Sequence, residues 1–158
     1  MAVEIERKFL VDAPPAPEVL GDGVALRQGY LAGEGDVETR VRIGPGWARL
    51  TVKAGRGLAR TEVEVSLPLD EAEALWPHTA GRCLEKVRHR VEVPGGVAEV
   101  DRYDGALAGL WTVEVEFDSE DAAQAFVAPA WFGRELTDLD GWGNGDLARH
   151  GRPDSPAT

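Results

Sequence analysis

Charged and apolar residues alternate with period two along most of the chain, the pattern of strands with two unlike faces. Seven stretches show it: Val3–Phe9, Val37–Ile43, Arg49–Lys53, Arg60–Val65, Lys86–Val93, Val97–Tyr103 and Thr112–Phe117. Leu26–Leu31 is a weaker eighth strand candidate. Gly44-Pro45-Gly46, Gly55-Arg56-Gly57, Pro94-Gly95-Gly96 and the stretch from Gly105 to Gly109 predict turns between them. Such spacings suit antiparallel hairpins, not parallel βαβ units. Three helices are expected. Asp70–Trp76 opens on Asp70 and Glu73, a capping-box variant. Ser119–Val127 has Ser119 as its cap and acids in its first turn. The third starts at Asn144 and runs to about His150. Ala13–Pro17 reads as a proline-rich loop. The stretch from Gly151 to Thr158 has no apolar anchor and reads as a frayed tail behind one domain over residues 1–150.

An ordinary half-buried strand turns its polar residues to water, and that reading fits any one of these strands. Seven together are harder to dismiss. One face carries Glu4, Glu6, Lys8, Arg40, Arg42, Thr51, Lys53, Arg60, Glu62, Glu64, Lys86, Arg88, Arg90, Asp101, Glu114 and Glu116. Nearly all are ionisable, and both signs are present. The opposite face is Val, Ile, Leu, Thr and Ala. The three lysines of the chain, Lys8, Lys53 and Lys86, all fall on the charged face. A closed eight-stranded antiparallel β-barrel accommodates this pattern, with a charged lumen inside and an apolar exterior under a few flanking helices. The predicted class is α+β, mainly β.

Composition narrows the partners. The 158 residues carry 17 basic and 28 acidic side chains, so the net charge is 17 − 28 = −11. That balance argues against nucleic acid as a partner. No apolar run approaches the ~18 residues of a membrane helix, and the N-terminus does not read as a signal peptide. The single cysteine, Cys83, excludes an intrachain disulfide framework and suggests a reducing cytosol. A charged lumen would be costly without counter-charge. Carboxylates favour hard cations, while Arg and Lys favour phosphate or carboxylate oxygens. A metal–polyphosphate complex satisfies both sets.

The ordered motifs resemble those of the CYTH family, also called triphosphate tunnel metalloenzymes. Glu4-Ile5-Glu6-Arg7-Lys8 resembles its E-x-E-x-K signature and Gln28-Gly29-Tyr30-Leu31 its QGYL segment. Arg40-Val41-Arg42 resembles R-x-R, Leu50-Thr51-Val52-Lys53 L-T-x-K, and Arg60-Thr61-Glu62-Val63-Glu64 R-x-E-x-E. Glu85-Lys86-Val87-Arg88 resembles E-K-x-R, Val100-Asp101 the strand that follows, and Glu114-Val115-Glu116 E-x-E. Pro129–Thr137 is similar to P-x-W-x-G-x-E-V-T, and Asn144, Leu147 and Ala148 fit an N-x-x-L-A close. The resemblance spans residues 2–149. His89 and Trp142 depart from it, each standing where tyrosine is common.

The resemblance implies a divalent metal, Mg²⁺ or Mn²⁺, at Glu4, Glu6 and Glu116. Asp101, Glu114, Glu62 and Glu64 are candidates for a second metal and for orienting water, with structural ion pairing as the alternative for Glu62 and Glu64. Lys8, Arg40, Arg42, Lys53, Lys86 and Arg88 are expected to clamp phosphate oxygens, helped by Arg60. Lys86, Glu114 and Glu62 are the catalytic candidates, Lys86 through a lowered pKa among cations. Arg90 falls at the tunnel mouth or outside it. Tyr30 points into the tunnel or packs outside. His78, His89 and His150 lack metal-binding spacing, with His89 expected on the outer face. Cys83 and the five tryptophans read as packing residues.

The implied reaction is metal-dependent hydrolysis of a short linear phosphate chain, inorganic triphosphate first, to pyrophosphate and phosphate. The alternatives are a nucleoside or thiamine triphosphatase, an adenylate cyclase, and a polyphosphate-binding module without turnover. The expected partner is a small anionic triphosphate, with no nucleic acid or membrane, and the protein is a monomer or homodimer.

Overall fold

The computed structural model describes residues 2–154. Eight strands close into one antiparallel barrel: β1 (Val3–Leu10), β2 (Val24–Glu34), β3 (Val37–Gly44), β4 (Trp47–Ala54), β5 (Ala59–Leu67), β6 (Cys83–Val93), β7 (Gly96–Tyr103) and β8 (Trp111–Glu116). Their order around the barrel is β1-β5-β4-β3-β2-β6-β7-β8. The weak Leu26–Leu31 candidate is an eleven-residue strand, because Val24–Gly29 pair with β6 while Arg27–Glu34 pair with β3. β1 is shared in the same way. Its first three residues pair with β5 and Glu6–Leu10 pair with β8.

The short helices lie outside or at the barrel end: α1 (Pro17–Leu20), α2 (Leu69–Leu75), α3 (Glu120–Ala125) and α4 (Asn144–His150). Ser119 caps α3 as expected, its Oγ accepting from the Ala122 N–H at 3.0 Å. The capping box predicted at Asp70 does not form. The helix begins one residue earlier, with Pro68 in the cap position and no side-chain cap. α1 grows out of the proline-rich loop, with Pro17 at its first position, where a missing N–H costs nothing. Cys83 is not a packing residue but lies exposed at the start of β6. The tail expected to fray is described to residue 154. Arg152 stacks over Trp142 and pairs with Asp154. Residues 155–158 lie outside the described residues.

Three apolar clusters hold the barrel. Under α3, Phe9, Val113, Val115, Phe117, Phe126 and Phe132 pack on the outer face of β1 and β8. Ala72 of α2 packs on Val41, Ile43 and Ala48. The third cluster is within the barrel end: Leu84 and Tyr103 meet Leu136, Trp142 and Leu147 of the returning chain. Leu84 lies opposite lumenal Gln28, and Tyr103 opposite Lys86, so these side chains share the lumen's face. One end of the lumen is thus plugged by apolar side chains. The exterior is less covered than the pattern suggests: Val63 and Val65 on β5 stay half exposed.

A return segment ties the plug to β1. Leu136 N–H donates to Lys8 O at 2.7 Å, and Leu10 N–H donates to Arg134 O at 2.9 Å. Arg7, on the outer face, clamps Glu135 through both carboxylate oxygens and donates to the carbonyls of Ala123 and Phe126.

Gly29 shows why the Gln-Gly-Tyr-Leu segment needs a residue without a side chain. The 3-10 turn Trp76–Thr79 docks there, and a Cβ on Gly29 would stand 2.5 Å from the Cβ and Oγ1 of buried Thr79. Gly29→Ala is expected to lower stability by about 1–3 kcal/mol, as overpacking does. Urea denaturation measures it, and an unchanged midpoint would remove this account of the glycine.

Candidate active site in the barrel lumen

Directly opposed residues in an antiparallel pair share a face, so the register assigns the lumen. Glu4 opposes Arg60, Glu6 opposes Glu116 and Lys8 opposes Glu114. Arg40 opposes Thr51 and Lys53 opposes Glu62. Lys86 opposes Tyr103, Arg88 opposes Asp101 and Arg90 opposes Glu99. The charged face of the sequence is the inside of the barrel. It encloses a cavity of about 1110 Å³ lined by Glu4, Glu6, Lys8, Arg40, Arg42, Lys53, Arg60, Glu62, Glu64, Arg88, Arg90, Glu114 and Glu116. Tyr30 points inward and lines it, while His89 is outside as expected, its Nδ1 3.1 Å from the Gly21 carbonyl oxygen.

Two of the predicted site residues are placed differently. Lys86 and Asp101 are fully buried and do not line the cavity. Lys86 Nζ donates to Asp101 Oδ2 at 2.8 Å. Arg88 grips the same carboxylate through Nε and Nη2, each at 2.8 Å. Asp101 is therefore saturated by cations. Burial opposes its ionisation, but Arg88 and Lys86 outweigh it and bring the pKa down to about 2. Burial and then neighbouring Arg88 hold Lys86 well below an ordinary lysine.

The remaining acids sort by how much positive charge surrounds them. Glu114 is buried, yet Lys8 at 3.7 Å and Arg88 at 4.0 Å, with Lys86 and Lys53 beyond them, hold it far below the usual carboxylate range. Glu62 is lowered against burial, first by Lys53, at 3.4 Å. Glu64 accepts from Arg49 at 3.1 Å and from Thr51 at 3.0 Å. Arg40 stands 3.7 Å from it. The opposite holds for Glu4, Glu6 and Glu116. Burial raises all three pKa values, and crowding by other carboxylates adds to it: Glu62 beside Glu4, Glu114 and Glu4 beside Glu6, and Glu4 and Glu62 near Glu116. These acids are short of positive charge.

Glu4, Glu6 and Glu116 are also the acids expected to hold a metal. Among the described residues, no three acidic side chains are yet gathered as a metal-holding cluster. Lys53 stands in for a cation, its Nζ 3.0 Å from both Glu4 oxygens. Glu4 Oε2 is buried and lacks a partner in hydrogen-bond geometry. An all-oxygen donor set with unmet negative charge fits a hard divalent cation.

Some lumenal residues escaped the sequence reading. Gln28, Glu38, Arg49, Glu99 and Thr112 lie inside with the others. Glu38 and Arg49 continue the parity of Arg40-x-Arg42 and Thr51-x-Lys53, so extending the alternation by one step finds them. The loop Asp138–Gly143 has no such signal. It reaches the cavity because the chain returns across the barrel end, where Lys8 Nζ donates to the Trp142 carbonyl at 2.8 Å.

A closed barrel with an ion-paired lumen and an acid-rich wall defines a tunnel-type site for small anions and their cations. The sequence profile of the CYTH domain matches residues 2–141, and the chain belongs to that family. It is 46% identical over 147 residues to an inorganic triphosphatase of Nitrosomonas europaea, covering 92% of this chain and 96% of that protein. It is 35% identical over 152 residues to an inorganic triphosphatase of Acetivibrio thermocellus, covering 95% and 96%. A crystal structure of an inorganic triphosphatase shares the fold at a TM-score of 0.68, with 41% identity, covering 94% of this chain and 96% of that one. Membership implies a divalent metal.

The Asp101 cluster has a measurable consequence. A carboxyl whose pKa is lowered by folding adds stability above its ordinary range, and that stability is lost as pH falls through about 2. Asp101→Asn would leave Lys86 buried without its anion and take from Arg88 its two-pronged partner, with Glu99 at 3.2 Å and Glu114 at 4.0 Å remaining. The expected loss is about 3–5 kcal/mol at neutral pH. Urea denaturation without metal or phosphate tests it, and wild-type stability would remove Asp101 from this role.

Proposed function

We propose that this protein hydrolyses inorganic triphosphate to pyrophosphate and orthophosphate with Mg²⁺ or Mn²⁺. The observation that carries the reading is the sorting of charge in one cavity. Among the described residues Glu6 and Glu116 have no cation within 4.0 Å and Glu4 has only Lys53, and the three share the cavity with guanidinium and ammonium groups. Relatives at 46% and 35% identity bearing the inorganic triphosphatase name support the same substrate. The single exposed cysteine is compatible with a reducing cytosol.

Glu4, Glu6 and Glu116 would hold the cation. When bound, it would neutralise phosphate oxygens and acidify a coordinated water. Arg40, Arg42 and Arg88 offer planar forks for phosphate oxygens, while Lys8 and Lys53 act as point charges. In the reaction, a water oxygen bonds to a terminal phosphorus. The bridging P–O bond breaks, and pyrophosphate leaves with the electron pair. Such transfer needs positioning and charge neutralisation more than covalent chemistry.

In this reading several residues act as supports. Lys86 and Asp101 support Arg88 from beneath the lining instead of meeting the substrate or the metal. Glu114 orients Lys8 and Arg88, Glu62 orients Lys53, and Glu64 braces Arg40 and Arg49. Arg60 faces the cavity beside Glu38 at 3.5 Å, and Arg90 is at the exposed mouth.

Phosphate release and product analysis on triphosphate, pyrophosphate, ATP and thiamine triphosphate, each with Mg²⁺, Mn²⁺ or EDTA, tests the reading. Metal-dependent cleavage of triphosphate well above the others is expected. Cyclic AMP from ATP, or binding without turnover, would overturn it. Glu6→Gln is expected to lower kcat at least ~100-fold, a rise of about 2.7 kcal/mol in the barrier. Its metal-free Tm should be equal or higher, because one repelling carboxylate is gone. At a hundredfold excess over its dissociation constant, a cation stabilises the wild type by about 2.7 kcal/mol. A wild-type rate in Glu6→Gln would remove that residue from the metal site.

A further inference from the structure

Nine cationic residues lie on the lumenal face of the strands: Lys8, Arg40, Arg42, Arg49, Lys53, Arg60, Lys86, Arg88 and Arg90. Eight stand within 4.0 Å of a carboxylate oxygen. Arg42 is the exception among the described residues. Its partner is neutral: Nε donates to Gln28 Oε1 at 2.7 Å. Gln28 and Arg42 are directly opposed across β2 and β3, so the contact is built into the register.

Gln28 is completely buried. A buried polar side chain in a lumen of this kind has an obvious anionic substitute of nearly equal size. Glutamate at this position would give Arg42 an ion pair like those of its eight neighbours. It would also place a negative charge beside a guanidinium crowded by cations. Burial first, then Arg40 and Arg88, lower the Arg42 pKa to about 10. The amide supplies the acceptor without the charge. Its orientation is determined by chemistry: guanidinium Nε is only a donor, so the amide oxygen must face it. The amide nitrogen turns the other way, 3.4 Å from the Tyr30 hydroxyl.

We propose that Gln28 is a positioning residue for substrate binding, aiming the Arg42 guanidinium into the lumen while leaving its charge uncompensated for a phosphate group. The inference rests on the triphosphatase reading and deepens it. Arg42 lines the cavity, and Nε is its one bonded nitrogen among the described residues, so the Nη pair is left for phosphate oxygens. The arrangement favours binding at the expense of folding stability. An anion in the protein would relieve the like-charge crowding, and a neutral carbonyl leaves that relief to the ligand.

The test is Gln28→Glu, with Gln28→Met as a companion of similar length that lacks the acceptor. For Gln28→Glu, the expected result is a KM for triphosphate at least ~10-fold higher, equivalent to about 1.4 kcal/mol. kcat should change by less than the KM, and the metal-free Tm should rise. Gln28→Met should also raise KM, through a guanidinium no longer held, but without a rise in Tm. Calorimetric titration of triphosphate in EDTA reads the affinity independently of turnover. A purely structural glutamine predicts the reverse pattern: both variants lose Tm and neither loses affinity once folded. That outcome, or a wild-type KM in folded Gln28→Glu, overturns the proposal. If the wild type itself neither binds nor cleaves triphosphate, the proposed function fails, and this inference fails with it. If the wild type is active and only the Gln28 variants behave otherwise than expected, this inference fails alone.

Discussion

Closing an antiparallel sheet whose inner face is almost entirely ionisable obliges the charges to satisfy one another. A charge taken out of water without a partner is costly enough to shift its own protonation. The barrel meets this demand by cross-strand register. Lys53 sits opposite Glu62, Lys8 opposite Glu114 and Arg88 opposite Asp101. A one-residue slip of any strand would send its charges into the apolar clusters outside and its valines into the lumen. The charge pattern that makes the site therefore also enforces the register of the fold.

Compensation is uneven along the lumen. Asp101, at the buried floor, takes two cations and is fully ionised. Glu4, Glu6 and Glu116, on β1 and β8, face one another with too little positive charge. Arg42 on β3 has no anion among the described residues. The floor is a finished ion-pair network that gives rigidity. The two unfinished regions are where a cation and an anion can each gain from binding. The net charge of −11 poses no barrier to an anionic substrate, because the screening length of roughly 8 Å makes local charges matter more than the total.

Much of this was legible in the chain. Period-two alternation gave seven strands, and parity assigned Glu4, Lys8, Arg40, Lys53, Arg88 and Glu114 to one face, where the structure has them. Parity cannot report depth. Lys86 and Arg88 are two residues apart on one face, yet one is sealed beneath the lining and the other reaches the cavity. What separates them is the apolar plug, built by Leu136, Trp142 and Leu147 from a part of the chain distant in sequence. The same return segment explains why the Asp138–Gly143 loop reaches the lumen without any local signal. The start of α2 was missed by one residue for a local reason. At Pro68 a residue with a fixed φ and no N–H took the position that a capping side chain was expected to fill.

A lumen completed for stability and a lumen completed for binding would have different sequences. The first would pair every cation, with glutamate at position 28, and would replace one of the crowded acids by an amide. The observed chain does neither. Its amide is beside the guanidinium that lacks an anion, and its carboxylates are beside one another. Both choices oppose folding in the absence of ligands, and both suit the proposed binding of a divalent cation together with a phosphate oxygen. The stability that such a barrel forgoes has to be supplied elsewhere, by the Asp101 floor, the Arg7–Glu135 clamp and the aromatic cluster under α3. The Arg7–Glu135 clamp and the aromatic cluster lie on the outer face of the strands that carry Glu6 and Glu116 inside. Stabilising contacts on the outer face leave the inner face of the same strands free to carry charge.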